Sequence, residues 1–543
     1  MHLRTIHPAV SWPTCGSAVL QWSAAFLLFL LFLLFLLFAA PAAAADRPQW
    51  GEWPSRNMTS SETGLPDSFD LEAGRNIRWS VPIGTQTHST PVVAGGKVFI
   101  GTNNNRPQDP KHAGDRGVLM CFDEKTGRFL WQLLAPKLLE DPYLDWPATG
   151  MVSPATVEGD RVYYVTNRAE VVCLDIDGMA DDNDGPYRDE GAHLAPPEGP
   201  AEEAGPTDAD IIWLFDLRSG AGVRPHDGSH CSVLVLGDRL YVNTSNGVDN
   251  THCKITKPEA PGLVVLDKGT GRLLAQDGER MAPRTIHCTW SSPAAGEVGG
   301  RTQVFFCGGD AVCYAFEPLG AAPEPGKVAV LKKVWWFDLD TEAPKEDVHR
   351  WQDNRSEGPS VVLGMPVFHE GRVYVSVGGD IWHGKPKARL VCIDASRSGD
   401  ITKGGEVWSA PMGRHCVSTP AIRDGLVYMA DCSRTIHCLE ASTGQSLWTH
   451  KAQGEIWASA LVADGKVFIG SKAGDFWILK AGREKAILST VDLDDMSGSP
   501  VAANGTLYIA TMSRLIAAAA GVTPAAPITA PAVAPAASGA ATP

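Results

Sequence analysis

Residues 90–131 read TPVVAGGKVFIGTNNNRPQDPKHAGDRGVLMCFDEKTGRFLW, and residues 419–448 read TPAIRDGLVYMADCSRTIHCLEASTGQSLW. Both open on Thr-Pro, cross a short apolar strand to a Gly turn, and return on a strand containing Val98-Phe99 or Val427-Tyr428. A third apolar strand ends at Asp123 or Glu440, a Thr-Gly turn follows, and a fourth strand carries Trp131 or Trp448. Short apolar runs bounded by Gly, Asp and Asn are the pattern of antiparallel sheet. The same opening recurs at Ser153-Pro154, Ser232-Val233, Ser292-Pro293, Met365-Pro366, Ser459-Ala460 and Ser499-Pro500, which makes eight copies. Four strands repeated every roughly 40–70 residues predict propeller blades. The fold class expected is all-β, an eight-bladed β-propeller of four-stranded antiparallel blades.

The last copy, from Ser499 to Ala517, holds about three strands, so one is missing. The segment Asn76-Ile77-Arg78-Trp79-Ser80-Val81 reads like the fourth strands at Ile211–Leu214 and Val334–Phe337. Pairing it with the last copy closes the ring and removes a sheet edge. The propeller is expected over residues 76–517, after a linker at 46–75 that starts Trp50-Gly51-Glu52-Trp53-Pro54. Residues 518–543, mostly Ala, Pro and Thr, cannot bury a core and are expected to be a disordered tail.

The repeats resemble those of the pyrroloquinoline-quinone (PQQ)-like β-propeller family, in the quinoprotein alcohol dehydrogenase-like superfamily, across the whole folded body. The resemblance rests on Asp-x-x-Thr-Gly-x-x-x-Trp, complete at Asp123–Trp131, with Glu440–Trp448 as the second copy. Asp267–Gly271 is a third that ends in Ala275. In that family the Trp packs between neighbouring blades. The family divides into PQQ-dependent dehydrogenases and propellers that bind or scaffold. The resemblance implies, for an enzyme, PQQ held over Ca²⁺ beneath a disulfide between adjacent cysteines, with an Asp base. No Cys-Cys pair occurs here.

A net charge of −15 over 543 residues disfavours nucleic acid, whose phosphates need a basic footprint. Ala24–Ala40 is an unbroken apolar run ended by Pro41, with an Ala-x-Ala site before Asp46. Residues 1–45 are therefore expected to be a signal peptide, or an anchor if uncleaved. The body is placed outside the cytoplasm, periplasmic or extracellular, with the membrane touched only through that segment.

Strand alternation puts the second-to-third-strand loops and the inter-blade loops on one face. On that face the loops are long (Thr102–Gly117, Ala135–Met151, Ser245–Gly262, Thr341–Gly358, Gly378–Ala388), whereas most turns on the other are short. Long loops gathered on one rim mark it as the working face. At the channel mouth on that rim the ligand-binding candidates are His88, His230, Trp290, His415 and Trp457, which could stack on and hydrogen-bond a small planar ligand. Plugging of the channel by the same side chains is the other reading.

Cys121, Cys173, Cys313, Cys392 and Cys438 share one repeat position and read as small buried hydrophobes. Cys416 with Cys432 and Cys231 with Cys253 are disulfide candidates, and metal ligation by Cys and His is the rival. Asp175, Asp177, Asp181 and Asp184 crowd a Gly-containing turn and are candidate Ca²⁺ ligands, with a solvated acidic loop as the alternative. The functional expectation is a non-catalytic binding or assembly scaffold that takes a protein partner or planar ligand on the long-loop face. The alternative is a PQQ- or metal-dependent oxidoreductase, with PQQ and Ca²⁺ as its cofactors. No catalytic residue is identified.

Overall fold

The computed structural model describes residues 45–522. The expected signal segment, up to residue 44, and the tail from residue 523 lie outside them. Among the described residues, no helix is long and apolar enough to cross a membrane.

Eight sheets form the body, each with four antiparallel strands, and a short parallel fifth strand, Ala329–Val330 or Gly399–Asp400, edges the third and fourth. In the first seven the four strands follow chain order outward from the inner strand. Blade 1 runs Val92–Ala94, Lys97–Asn103, Arg116–Asp123 and Phe129–Pro136. Blade 8 takes its fourth strand from the front of the chain: Ile77–Pro82 pairs antiparallel with Arg514–Ala518. The carbonyl of Asn76 also accepts from the Ala519 N–H, so the last strand runs slightly past the expected end at 517.

Two hydrogen-bond series explain the repeat motif. The Trp indoles of five fourth strands each donate to a backbone carbonyl near the third strand's end in the next blade. The pairs are Trp79 to Glu124 (2.9 Å), Trp131 to Ile176 (3.0 Å), Trp213 to Lys268 (3.1 Å), Trp408 to Ala441 (2.9 Å) and Trp448 to Gly482 (2.9 Å). The Gly of the Thr-Gly turn lies under that ring. At Gly127, Gly271 and Gly444 φ is +71 to +72°, and a Cβ would sit 2.4–2.8 Å from the docked Trp. The turn Asp holds the Thr: Asp123 Oδ1 accepts from Thr126 N and Oγ1. Trp335 of blade 4 departs from this series and donates to Gln303 of its own blade.

The opening Ser or Thr has its own task. Its hydroxyl accepts a backbone N–H from the preceding blade: Ser292 from Ser232, Thr419 from Met365, Ser459 from Thr419, Ser499 from Ser459, and Thr90 from Ser499. These groups are buried, so each N–H left unpaired would cost about 1–3 kcal/mol. A hydroxyl at the start of these five copies thus ties the inner strands of neighbouring blades together.

Residues 46–75, expected as a linker, are instead part of the body. From Arg47 to Ser60 the chain winds once round the channel and hydrogen-bonds the innermost strand of all eight blades in order. Arg47 pairs with Val93, Pro48 O with Val157 N, Trp53 Nε1 with Val235 O and Pro54 O with Ala295 N. Ser55 O then accepts from Phe368 N, Asn57 brackets Ile422, Met58 O accepts from Val462 N, and Ser60 Oγ donates to Ala502 O. Arg56, fully buried, donates to the carbonyls of Pro293, Trp50 and Ser232 and to the Ser232 hydroxyl. Burial without a carboxylate partner lowers its pKa to about 10.

The two proposed disulfides are corrected. All eleven described cysteines are free. Cys231 is buried and accepts from Asn243 N, whereas Cys253 is exposed beside Gln352. Cys416 and Cys432 turn to different carbonyls, those of Arg414 and Ile456. The five repeat-position cysteines are buried between the second and fourth strands, as in Tyr163–Cys173–Trp213.

Candidate functional site

The channel is open on the long-loop side as a cavity of about 540 Å³, within the size range of small-molecule sites. Trp50, from the segment wound through the channel, lines it, with its ring 5.8 Å from His230 and edge-on to it. The walls include Trp290, Trp382, Trp457, His88, Leu363 and Val417. Trp382 meets Trp290 and Trp457 edge-on, at 5.6 and 6.4 Å between ring centres. Of the sequence candidates, His88, His230, Trp290 and Trp457 come together here. His415 does not line the cavity: it is buried, and its carbonyl accepts from Cys432 N.

Buried polar atoms of lining residues lack protein partners: Trp50 Nε1, His88 Nδ1, Trp457 Nε1, Ser497 Oγ and His287 Nε2. Each costs free energy unless a bound group satisfies it. His230 is already committed, its Nδ1 lying 2.8 Å from the Trp290 carbonyl. Burial, with Lys472 and His230 nearby, lowers the His88 pKa to about 4, so the ring is neutral at ordinary pH.

A second feature had no signal in sequence spacing. His226 precedes blade 3, His252 lies in that blade's long loop, and His287 precedes blade 4. One ligating atom from each lies within 4.8 Å of the others. Val248 ties two of them: its carbonyl lies 2.9 Å from His226 Nδ1, and its N–H donates to the His287 carbonyl. A carbonyl can only accept, so Nδ1 of His226 carries the proton and Nε2 presents a lone pair. The backbone passes so close at Gly247 that a Cβ there would lie 2.7 Å from both His226 Cβ and the His287 carbonyl. Asp227 Oδ2 stands 3.4 Å from His287 Nε2. Burial and then Asp380 raise the Asp227 pKa to about 7, while burial and the neighbouring rings lower His226 to about 2 and His287 to about 3.

The acidic cluster is differently placed. Asp175, Asp177 and Asp181 converge, but Asp175 is paired with Arg161 at 2.6 Å and Asp177 with Lys97 at 2.8 Å. Asp184 lies apart from that trio, its N–H bonded to Asp210. The acidic stretch that follows is docked on blade 1: Asp208 bridges Gln132, and Glu202 pairs with Arg116.

The family model for the outer membrane protein assembly factor BamB matches residues 68–178 and 397–485. The fold is similar to the quinohemoprotein alcohol dehydrogenase of Comamonas testosteroni, with a TM-score of 0.56 at 11% identity, over 92% of this chain and 84% of that one. The chain is a β-propeller that resembles the PQQ-like repeat family in those two stretches. It is likewise similar in fold to a europium-containing methanol dehydrogenase (TM-score 0.54, 11% identity, 87% of this chain, 89% of that one). BamB of Moraxella catarrhalis matches with a TM-score of 0.49 at 12% identity, over 81% of this chain and 98% of that one. No curated protein sequence matches the chain.

PQQ itself fits this cavity poorly. It is a tricarboxylate, and among the described residues lining the cavity none is Lys or Arg, while Asp227 adds a carboxylate. Lys472, whose Nζ lies 4.1 Å from the centre of the Trp457 ring, is one cation set against three carboxylates, and burying carboxylates without matching cations is strongly unfavourable.

Proposed function

We propose that this propeller is an exported, non-catalytic binding protein whose channel takes a planar aromatic ligand that is neutral or cationic. The aromatic cavity carries this reading: the indoles of Trp50, Trp290, Trp382 and Trp457 line it, together with unpartnered polar atoms. Stacking on Trp supplies affinity, the polar atoms supply orientation, and the lack of Lys and Arg disfavours anions. Export is supported by the apolar run at Ala24–Ala40. An assembly role of the kind named for BamB would use the same rim, where Trp146 and Trp382 are partly exposed. The cavity volume of about 540 Å³ favours the small ligand.

The test is tryptophan-fluorescence titration of chelator-treated protein with proflavine (a planar cation), lumichrome (planar and neutral) and PQQ. Saturable quenching is expected from the first two, weakened about tenfold by Trp290→Ala or Trp457→Ala through loss of roughly 1–1.5 kcal/mol of stacking. Tight PQQ binding, or affinities unchanged in both variants, would overturn the proposal.

A further inference from the structure

We propose that His226, His252 and His287 form a binding site for one divalent transition-metal ion of the zinc class, on the rim of the cavity. The site is independent of the organic-ligand reading, because metal uptake requires no such ligand.

His226 Nε2 lies 3.1 Å from His252 Nε2. Two Zn–N bonds of about 2.0–2.1 Å at a tetrahedral angle put their nitrogens roughly 3.3 Å apart. Val248 takes the proton-bearing edge of His226, which leaves a lone pair on Nε2. His252 Nε2 faces that lone pair, and a divalent cation takes the place of the proton shared between the two nitrogens.

His287 is buried, and its Nε2 has no hydrogen-bond partner. Asp227 faces both that nitrogen, at 3.4 Å, and His226 Nε2, at 3.7 Å. Its carboxylate is placed to be a fourth ligand or to receive a proton from metal-bound water. On the other edge of His287, Asp380 Oδ2 lies 3.5 Å from Nδ1 and Cys288 Sγ lies 3.3 Å from it. Asp380 Oδ2 is buried without a hydrogen-bond partner, so a carboxylate stands beside the non-ligating edge of His287 without yet bonding it. The thiol is therefore on the wrong side to ligate through the Nε2 centre.

The donor chemistry selects the ion. Imidazole suits Zn²⁺, Cu²⁺, Ni²⁺ and Fe²⁺, whereas Ca²⁺ takes an oxygen shell. The three rings come from loops flanking two neighbouring blades, so the ion would also clamp those loops together. Three protein nitrogens leave a coordination position open, and His252, His287 and Asp227 all line the cavity.

The experiment uses the full chain, stripped with a chelator and titrated with Co²⁺ and then Zn²⁺. One equivalent of Co²⁺ is expected to give the visible absorption of a low-symmetry nitrogen site and to be displaced by one equivalent of Zn²⁺. His252→Ala, in a half-exposed loop side chain, is expected to weaken uptake by more than about 100-fold with an unchanged circular dichroism spectrum. Asp177→Asn, in the acidic cluster, is expected to leave uptake unchanged. X-ray absorption of Zn²⁺-loaded wild-type protein is expected to show an imidazole shell, and this readout needs no variant. Absence of saturable uptake at micromolar metal, uptake unaffected by His252→Ala, or a sulfur or all-oxygen shell would each overturn the site.

Discussion

Arg56 grips Ser232 twice, donating to its hydroxyl at 2.8 Å and to its carbonyl at 2.7 Å. This pairing joins a segment 176 residues away in sequence to the innermost part of blade 3 and fixes the chain that fills the channel. The same segment carries Trp50, which lines the cavity.

Arg56→Ala is expected to destabilise the fold by about 3–5 kcal/mol, because it leaves buried acceptors on Pro293, Trp50 and Ser232 unpaired. Arg56→Lys, a point charge without the fork, should cost less. Urea denaturation measures both. Equal stability of Arg56→Ala and wild type would show that the segment does not hold the ring.

Blade docking makes a different prediction. Trp131→Phe keeps most of the buried ring but loses the bond to Ile176, and is expected to cost about 1–2 kcal/mol. Trp131→Ala should cost about 3–5 kcal/mol. Gly444→Ala is expected to lower the melting temperature without touching any polar contact. Its Cβ would meet Trp408 at 2.4 Å, and φ there is +72°.

Acid should weaken the fold through His88. Its pKa is about 4 in the folded state against an ordinary 6.5, with burial as the largest cause and Lys472 and His230 adding to it. Between those values the unfolded chain binds a proton that the folded protein excludes. Stability therefore rises with pH across that window and levels above it, by up to about 3 kcal/mol for this ring. Denaturation midpoints at a series of pH values should show a shallower acid limb for His88→Gln than for wild type. Parallel limbs would contradict the assignment.

Thiol labelling should find Cys253, the exposed one, reacting first in native protein. In denaturant without reductant, all eleven described cysteines should react. A pair that labels only after reduction would contradict the free-thiol structure.

The legible parts were those carried by the repeat. Trp79 announced itself as a fourth-strand residue, and the positions just before each inner strand placed His88, His230, Trp290 and Trp457 at the mouth. The histidine trio was not legible, since His226, His252 and His287 are separated by 26 and 35 residues in loops without a metal-ligand spacing. Adjacency of blades, not chain spacing, brings them together. The channel segment was missed for another reason. Most of its contacts use backbone atoms, so its side chains follow neither a strand nor a helix period. The aromatic pair Trp50 and Trp53, with Arg56, was the available signal. His415 failed because the position of that blade that lines the cavity is Val417, two residues further along.

The central claim is that the channel cavity is where this propeller binds. A crystal structure of the metal-free protein with proflavine tests it most directly. The account predicts acridine density stacked in the cavity against Trp290, Trp382 or Trp457. Density confined to the outer blade surfaces or the acidic Asp175–Asp210 loop, with the cavity free of dye, would contradict it.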